Sequence, residues 1–188
     1  MKIGILGGTF NPIHIGHLIL AEEAREKLSL DKIIFVPAFL PPHKDNSDIA
    51  PATRRYTMVK IATKGNKYFT VSDVEIKRDG RSYTIDTIRE FNKLYPNDEL
   101  YFIIGSDLLN YLAEWKDLNE IIKIVKFIAA VRPGYPLEKL PSYISTIATR
   151  AVDISGFEIR QRAKEKKSFR YLVPEGVYKY IIKNRMYK

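Results

Sequence analysis

No cysteine occurs among the 188 residues, which excludes disulfides, thiolate nucleophiles and cysteine-ligated zinc or iron–sulfur centres together. Long apolar runs are missing as well. Nothing approaches the ~18 residues of a membrane span, and "IGIL" after Lys2 is too short for the core of a signal peptide. Acid is scarce, with 22 Asp and Glu against 31 Lys and Arg and a formal net charge of +9. Most of that excess lies at the carboxyl end, where ten Lys or Arg stand against three Glu between Glu158 and Lys188. Histidine occurs three times and tryptophan once. There is no internal repeat, low-complexity segment or linker. What is left, 45% apolar and 28% charged, has the composition of an ordinary globular chain. It is expected to form one domain over residues 1–188, in the cytoplasm, with an anionic partner.

Short apolar runs alternate with amphipathic stretches along the chain. "KIGIL" reads as a buried strand that ends in glycines. Leu18, Ala21, Ala24 and Leu28 then recur at helical spacing. "KIIFVP" is a second strand stopped by Pro37, and Pro51 opens a helix through Arg54, Met58 and Ile61. "YFTVSDVEI" alternates like a strand, and "YTIDTIREFNKLYP" is an amphipathic helix. "LYFIIG" and "KFIAAVRPG" are strands separated by two helical pieces that break near Trp115. "TRAVDIS" reads as the last strand, and "FEIRQRAKEKK" and "PEGVYKYIIKN" as closing helices. This alternation predicts an α/β fold: a Rossmann-like, doubly wound parallel sheet with helices on both faces and closing C-terminal helices.

Ligands of such sheets collect beyond the carboxyl ends of the strands. "GGTFNPIHIGH", "VPAFLPPHK", "IIGSD", "AAVRPG" and "DISGFEIR" all follow expected strands. Their glycines, hydroxyls, histidines, lysine and arginines are a phosphate-binding palette. "GGTFNPIHIGH" holds two of the three histidines, and it is neither a GK[ST] P-loop nor GxGxxG. His14 and His17 stand three apart at the start of a helix, where free N–H groups and the helix dipole favour an anion. The same pair could cap the helix or ligate a metal, but no HExxH pattern or third ligand accompanies it.

These residues resemble the signature of the HxGH nucleotidyltransferase superfamily, and in particular the bacterial nicotinate-nucleotide adenylyltransferases. The resemblance runs in order through "PPHK", "SYTIDTI", "FIIGSD", "EW", "RPG", "ISGFEIR" and "YLVPEGVYKYI". It implies transfer of the adenylyl group of ATP to nicotinate mononucleotide, helped by Mg²⁺ held mainly by the ATP phosphates. Carried over to this sequence, His17, His14 and Lys44 are the catalytic residues. Gly7, Gly8, Thr9 and Phe10 line the phosphate-accepting turn on the ATP side, where His14 and His17 also bind, and Thr9 and Phe10 meet the acceptor as well. Gly105 and Asp107 hold adenosine, Arg132 belongs to the ATP side, and Ser155 and Arg160 grip the β and γ phosphates. Lys44 also reaches the acceptor, Thr84 meets the nicotinate carboxylate, and Trp115 stacks on the pyridine ring. Two departures stand out. Asn11 replaces a frequent aspartate, and Gly156 with Phe157 lacks the second hydroxyl or basic residue often found there.

Bland readings apply residue by residue. His43 is a loop residue, Asp107 and Ser155 are also ordinary helix caps, and a lone tryptophan is usually cover for a core, although Glu114 and Lys116 flank this one. Related activities on nicotinamide mononucleotide or phosphopantetheine share the HxGH motif. A nucleic-acid module built on Phe169, Tyr171, Tyr178, Tyr180 and the basic carboxyl terminus is the reading from another class. Against it, Val177, Ile181 and Ile182 suit a helix packed on the core. The sequence leaves a homo-oligomer open.

Overall fold

A computed structural model describes residues 1–41, 48–131, 140–150 and 152–188, with every side chain there except that of Asp107. Six strands form one sheet: β1 (Lys2–Gly8), β2 (Lys32–Pro37), β3 (Phe69–Val71), β4 (Glu99–Gly105), β5 (Lys126–Val131) and β6 (Ile144–Ala148). All neighbours are parallel, in the order β3-β2-β1-β4-β5-β6. Chain direction across the sheet reverses between β1 and β4, and the crevice beyond their carboxyl ends is where ligands of such sheets bind.

The strands are apolar on both faces because helices cover both. Leu6, Ile33, Phe35, Tyr101 and Ile103 point into one core. It is closed by α1 (Ile15–Lys27), α2 (Ala52–Thr63), α6 (Gly156–Lys164) and α7 (Glu175–Lys183). Their strand neighbours Ile5, Ile34, Val36, Phe102 and Ile104 point into the other. That core is closed by α3 (Val74–Arg78), α4 (Thr84–Leu94) and α5 (Leu118–Ile124), with a 3₁₀ segment over Ser106–Glu114. The period of two thus runs through strands buried on both sides, as a parallel sheet requires. Among the described residues no helix is long and apolar enough to cross a membrane.

Two expected elements are misplaced. "YFTVSDVEI" is a strand only over Phe69–Val71, after which the chain turns into α3. Ser72 makes the last pairing, its N–H donating to the Phe35 carbonyl at 2.9 Å, and its hydroxyl then accepts from the Val74 N–H at 3.3 Å. That serine-to-backbone bond offers a helix start in place of a ladder. The last strand is Ile144–Ala148 rather than "TRAVDIS". Its register with β5 pairs Phe127 with Ile144 and Val131 with Ala148. The Thr149 N–H still reaches the Val131 carbonyl at 3.2 Å, and the described residues beyond it continue without strand pairing to α6.

Candidate active site

A cavity of about 310 Å³ opens at the carboxyl ends of β1 and β4. Gly7, Gly8, Thr9, His17, Gly105, Thr84 and Trp115 are among its walls, drawn from β1, α1, β4, α4 and the end of the 3₁₀ segment. A smaller recess, about 30 Å³, lies beside it, with Gly16, Ala130, Thr149 and Arg150 in its lining. His17, Leu20 and Gly105 line both. The two glycines of β1 differ in cause. A Cβ on Gly8 would meet Cζ of Phe10 at 3.0 Å, a tight contact that favours glycine there on packing grounds. On Gly7 it would meet Phe102 at no less than 3.5 Å, an ordinary contact. Gly7 leaves backbone bare toward the cavity although the surrounding protein does not require it.

The turn after β1 aims His17. Phe10 sits in the left-handed region, φ 47°, a conformation in which a non-glycine residue is strained. Its ring is 2% exposed and packs edge-on against His17, centroids 5.1 Å apart. His14 is the N-cap of α1, buried, with its ring 3.7 Å from that of His17. The His14 N–H donates to Nδ1 of His17 at 3.2 Å. An N–H can be met only by a lone pair, so this bond puts the proton of the neutral imidazole on Nε2. His17, half-buried at the junction of the two cavities, therefore carries a donor. No acidic residue occupies the first turn of α1, so the positive end of its dipole is not offset within the helix.

Buried polar side chains hold the turn from behind. Arg55 is 1% exposed and donates to three carbonyls: Thr9 at 2.7 Å, Ala50 at 2.7 Å and Phe39 at 2.9 Å. Burial pulls its guanidinium down to about 10. Asn11 uses both ends of its amide. Nδ2 donates to the Asp48 carbonyl at 2.9 Å, while Oδ1 accepts from the Ala50 N–H at 3.1 Å and the Tyr187 hydroxyl at 2.9 Å. An ionised aspartate has no donor for the Asp48 carbonyl, which accounts for asparagine here. Glu75 lines the cavity at 7% exposure, accepting from the Thr87 hydroxyl at 2.6 Å. Burial raises its carboxyl above the usual 4.5, partly offset by hydrogen bonds from Ser82 and Thr87 and by Arg78 and Arg55. Ser82 in turn accepts from the Phe39 N–H at 2.8 Å, joining the loop after β2 to the segment that carries Thr84.

Seven sequence-predicted residues, Gly7, Gly8, Thr9, His17, Thr84, Gly105 and Trp115, share the cavity. Trp115 is half-buried, its ring edge-on to Phe102 at 5.8 Å. Phe10 and His14 stand behind His17, with the Phe10 ring in the core cluster instead of in the cavity wall. Ser155 caps α6, its hydroxyl accepting from the Glu158 N–H at 3.1 Å. Arg160 donates to the Asn11 carbonyl at 2.9 Å and lines a different cleft. Lys44, His43 and Arg132, and the side chain of Asp107, lie outside the described residues.

The profile of the cytidylyltransferase-like family matches residues 5–162. The chain belongs to the cytidylyltransferase-like family. A probable nicotinate-nucleotide adenylyltransferase of Thermus thermophilus is 45% identical to it over 188 residues, 100% of both chains. That of Desulfitobacterium hafniense (strain Y51) is 44% identical over 198 residues, 100% of this chain and 96% of its own. Among solved structures, the Plasmodium falciparum nicotinic acid mononucleotide adenylyltransferase complexed with NaAD superposes with a TM-score of 0.79 at 19% identity, covering 99% of this chain and 97% of that one. At that identity the likeness speaks for the fold.

In this cytidylyltransferase-like chain, sequence reading missed Arg55, Glu75, Lys116 and Tyr187. Arg55 left a signal, since Ala52, Arg55, Met58 and Val59 fall on one helical stripe and all four are buried. An arginine on such a stripe must find carbonyls or a carboxylate. Lys116 lines the cavity with Nζ 4.9 Å from the centre of the Tyr83 ring, and only the fold brings it beside Thr84. Nothing local in the sequence marked Glu75, because its strand-like alternation hid a helix.

Proposed function

We propose that the chain transfers the adenylyl group of ATP to nicotinate mononucleotide in the cytoplasm, giving deamido-NAD and pyrophosphate. The observation that carries this is the position of His17 and Gly105, common walls of a large cavity and of its neighbouring recess. The pyridine ring would rest on Trp115 beside Thr84, and adenosine would extend past Gly105, with the α-phosphorus at the junction. An oxygen of the acceptor phosphate attacks that phosphorus in line. The bond to the β-bridging oxygen breaks, and pyrophosphate departs with the electron pair. The enzyme supplies position and charge, and no covalent intermediate forms.

His17, its Nδ1 engaged by the His14 N–H, offers Nε2–H to a non-bridging oxygen, where a preorganised donor is worth most. Lys44, Asp107, Arg132, Ser155 and Arg160 complete the ATP side on this reading, and Mg²⁺ is the divalent partner, bound chiefly by the triphosphate. Lys116 gives the acceptor carboxylate a cation, which favours acid over amide. Pyrophosphate release is compared for nicotinate mononucleotide, nicotinamide mononucleotide and phosphopantetheine under identical ATP and Mg²⁺. The first is expected to be fastest. Release with phosphopantetheine alone would assign the sister activity, and ATP binding with no release for any acceptor would overturn the reading. For His17→Ala, kcat falls about 10²–10³-fold with the circular dichroism spectrum retained; an unchanged kcat removes His17 from the mechanism.

A further inference from the structure

Glu75 is a buried carboxyl that the transfer step leaves without a part. It stands in α3, in the wall of the large cavity, 7% exposed. Two hydroxyls donate to it, that of Thr87 at 2.6 Å and that of Ser82. Each hydroxyl oxygen is already met from behind, Thr87 Oγ1 by Arg78 Nη2 at 3.1 Å and Ser82 Oγ by the Phe39 N–H at 2.8 Å. The one hydrogen of each hydroxyl is therefore left for Glu75, and a side chain with two accepting oxygens takes both. An apolar residue of similar size would fill the same wall without the desolvation that burying a carboxyl costs. What the carboxyl adds is a fixed geometry for the groups bonded to it.

We propose that Glu75 is a positioning residue for the acceptor: through Ser82 and Thr87 it sets where the start of α4 and the loop after β2 stand around the acceptor end of the cavity. Ser82 is the joint. Its N–H donates to the Leu40 carbonyl at 2.9 Å while its hydroxyl links Phe39 to Glu75. The Phe39 carbonyl is held in turn by Arg55, which also holds that of Thr9. One run of hydrogen bonds thus ties Glu75 to two stretches of cavity wall, Ala38 and Pro41 from the loop and Tyr83 and Thr84 from α4. None of these residues lines the smaller recess that shares His17 and Gly105. Loss of the carboxyl should therefore be felt by the acceptor and not by ATP. The inference rests on the acceptor lying against Thr84 and Trp115, as proposed for the transfer.

Trp115 is the chain's one tryptophan and lines this cavity, so its fluorescence reports acceptor binding without turnover. Nicotinate mononucleotide is titrated into the full chain by that signal, and α,β-methylene-ATP by calorimetry. Glu75→Gln is expected to raise Kd and KM for the mononucleotide about tenfold, with kcat and Kd for α,β-methylene-ATP unchanged. Ser82→Ala should do the same, and the double variant no more than the larger single change, because both act through one joint. Urea unfolding establishes that each variant is folded at the temperature of the titrations. An unchanged Kd for the mononucleotide in Glu75→Gln overturns the proposal. So does a parallel loss of affinity for both ligands, which would make Glu75 merely structural, or effects of the two substitutions that simply add. No response of wild-type Trp115 to the mononucleotide removes the acceptor assignment itself and this proposal with it, whereas a wild-type response that the variants share removes the proposal alone.

Discussion

The glycines at the end of β1 separate packing from function residue by residue. A methyl at position 8 would press on the Phe10 ring, which packs against Phe35 at 6.0 Å and His17 at 5.1 Å between centroids and would have to give by a few tenths of an ångström. Overpacking of that kind costs about 1–3 kcal/mol. A methyl at position 7 meets only an ordinary contact with Phe102, yet it enters the cavity. Gly8→Ala should therefore lower the unfolding midpoint, and Gly7→Ala should keep the midpoint while raising KM for both substrates. Chemical denaturation and steady-state kinetics on the pair decide it; equal loss of stability in both would mean that Gly7 is structural too. Of this turn, the sequence shows the composition, on which the proposed phosphate role rests. It does not show that the Phe10 ring is core, because a side chain's direction in a left-handed turn depends on what surrounds it.

Arg55 binds elements together. Through Thr9, Phe39 and Ala50 it ties α2 to the turn after β1 and to both described ends of the loop after β2. Arg55→Met leaves three part-buried carbonyls without their donor at about 1 kcal/mol or more each, so a loss of about 3 kcal/mol in unfolding free energy is expected. Arg55→Lys, with one ammonium for three acceptors, should fall between. A loss below about 1 kcal/mol for the methionine variant would show that water replaces the guanidinium. Most elements were legible, because a fully buried strand such as "KIIFVP" and an amphipathic helix such as α4 each carry their own period. The failures had a common physical cause. "SDVEI" alternates like a strand but begins with a serine turn, and "TRAVDIS" carries strand formers beyond the point where β5 pairs with it. Pairing is a property of two segments, and one segment's composition does not report it.

At the scale of the whole molecule, polar side chains beside the cavity join the turn after β1, the loop after β2 and α4, and Glu75 is their buried carboxyl group. Its folded carboxyl lies above 4.5, with burial as the first cause. As pH rises from 4.5 toward that raised value, the unfolded chain has already released a proton that the folded one retains. The folded state binds more protons in this window, so Glu75 makes stability fall as pH rises, at a slope of at most about 1.4 kcal/mol per pH unit, and the penalty is complete above the folded value. Glu75→Gln removes this titration while keeping an acceptor for Thr87. The difference in unfolding free energy, wild type minus variant, should therefore decline from pH 4.5 upward and then level off. Urea titrations at half-unit intervals measure it directly. A flat difference would mean that the hydrogen bonds from Ser82 and Thr87 balance burial, and one that grows with pH that they outweigh it; either result denies Glu75 a raised carboxyl and puts a buried negative charge in the wall of a cavity proposed to take anions.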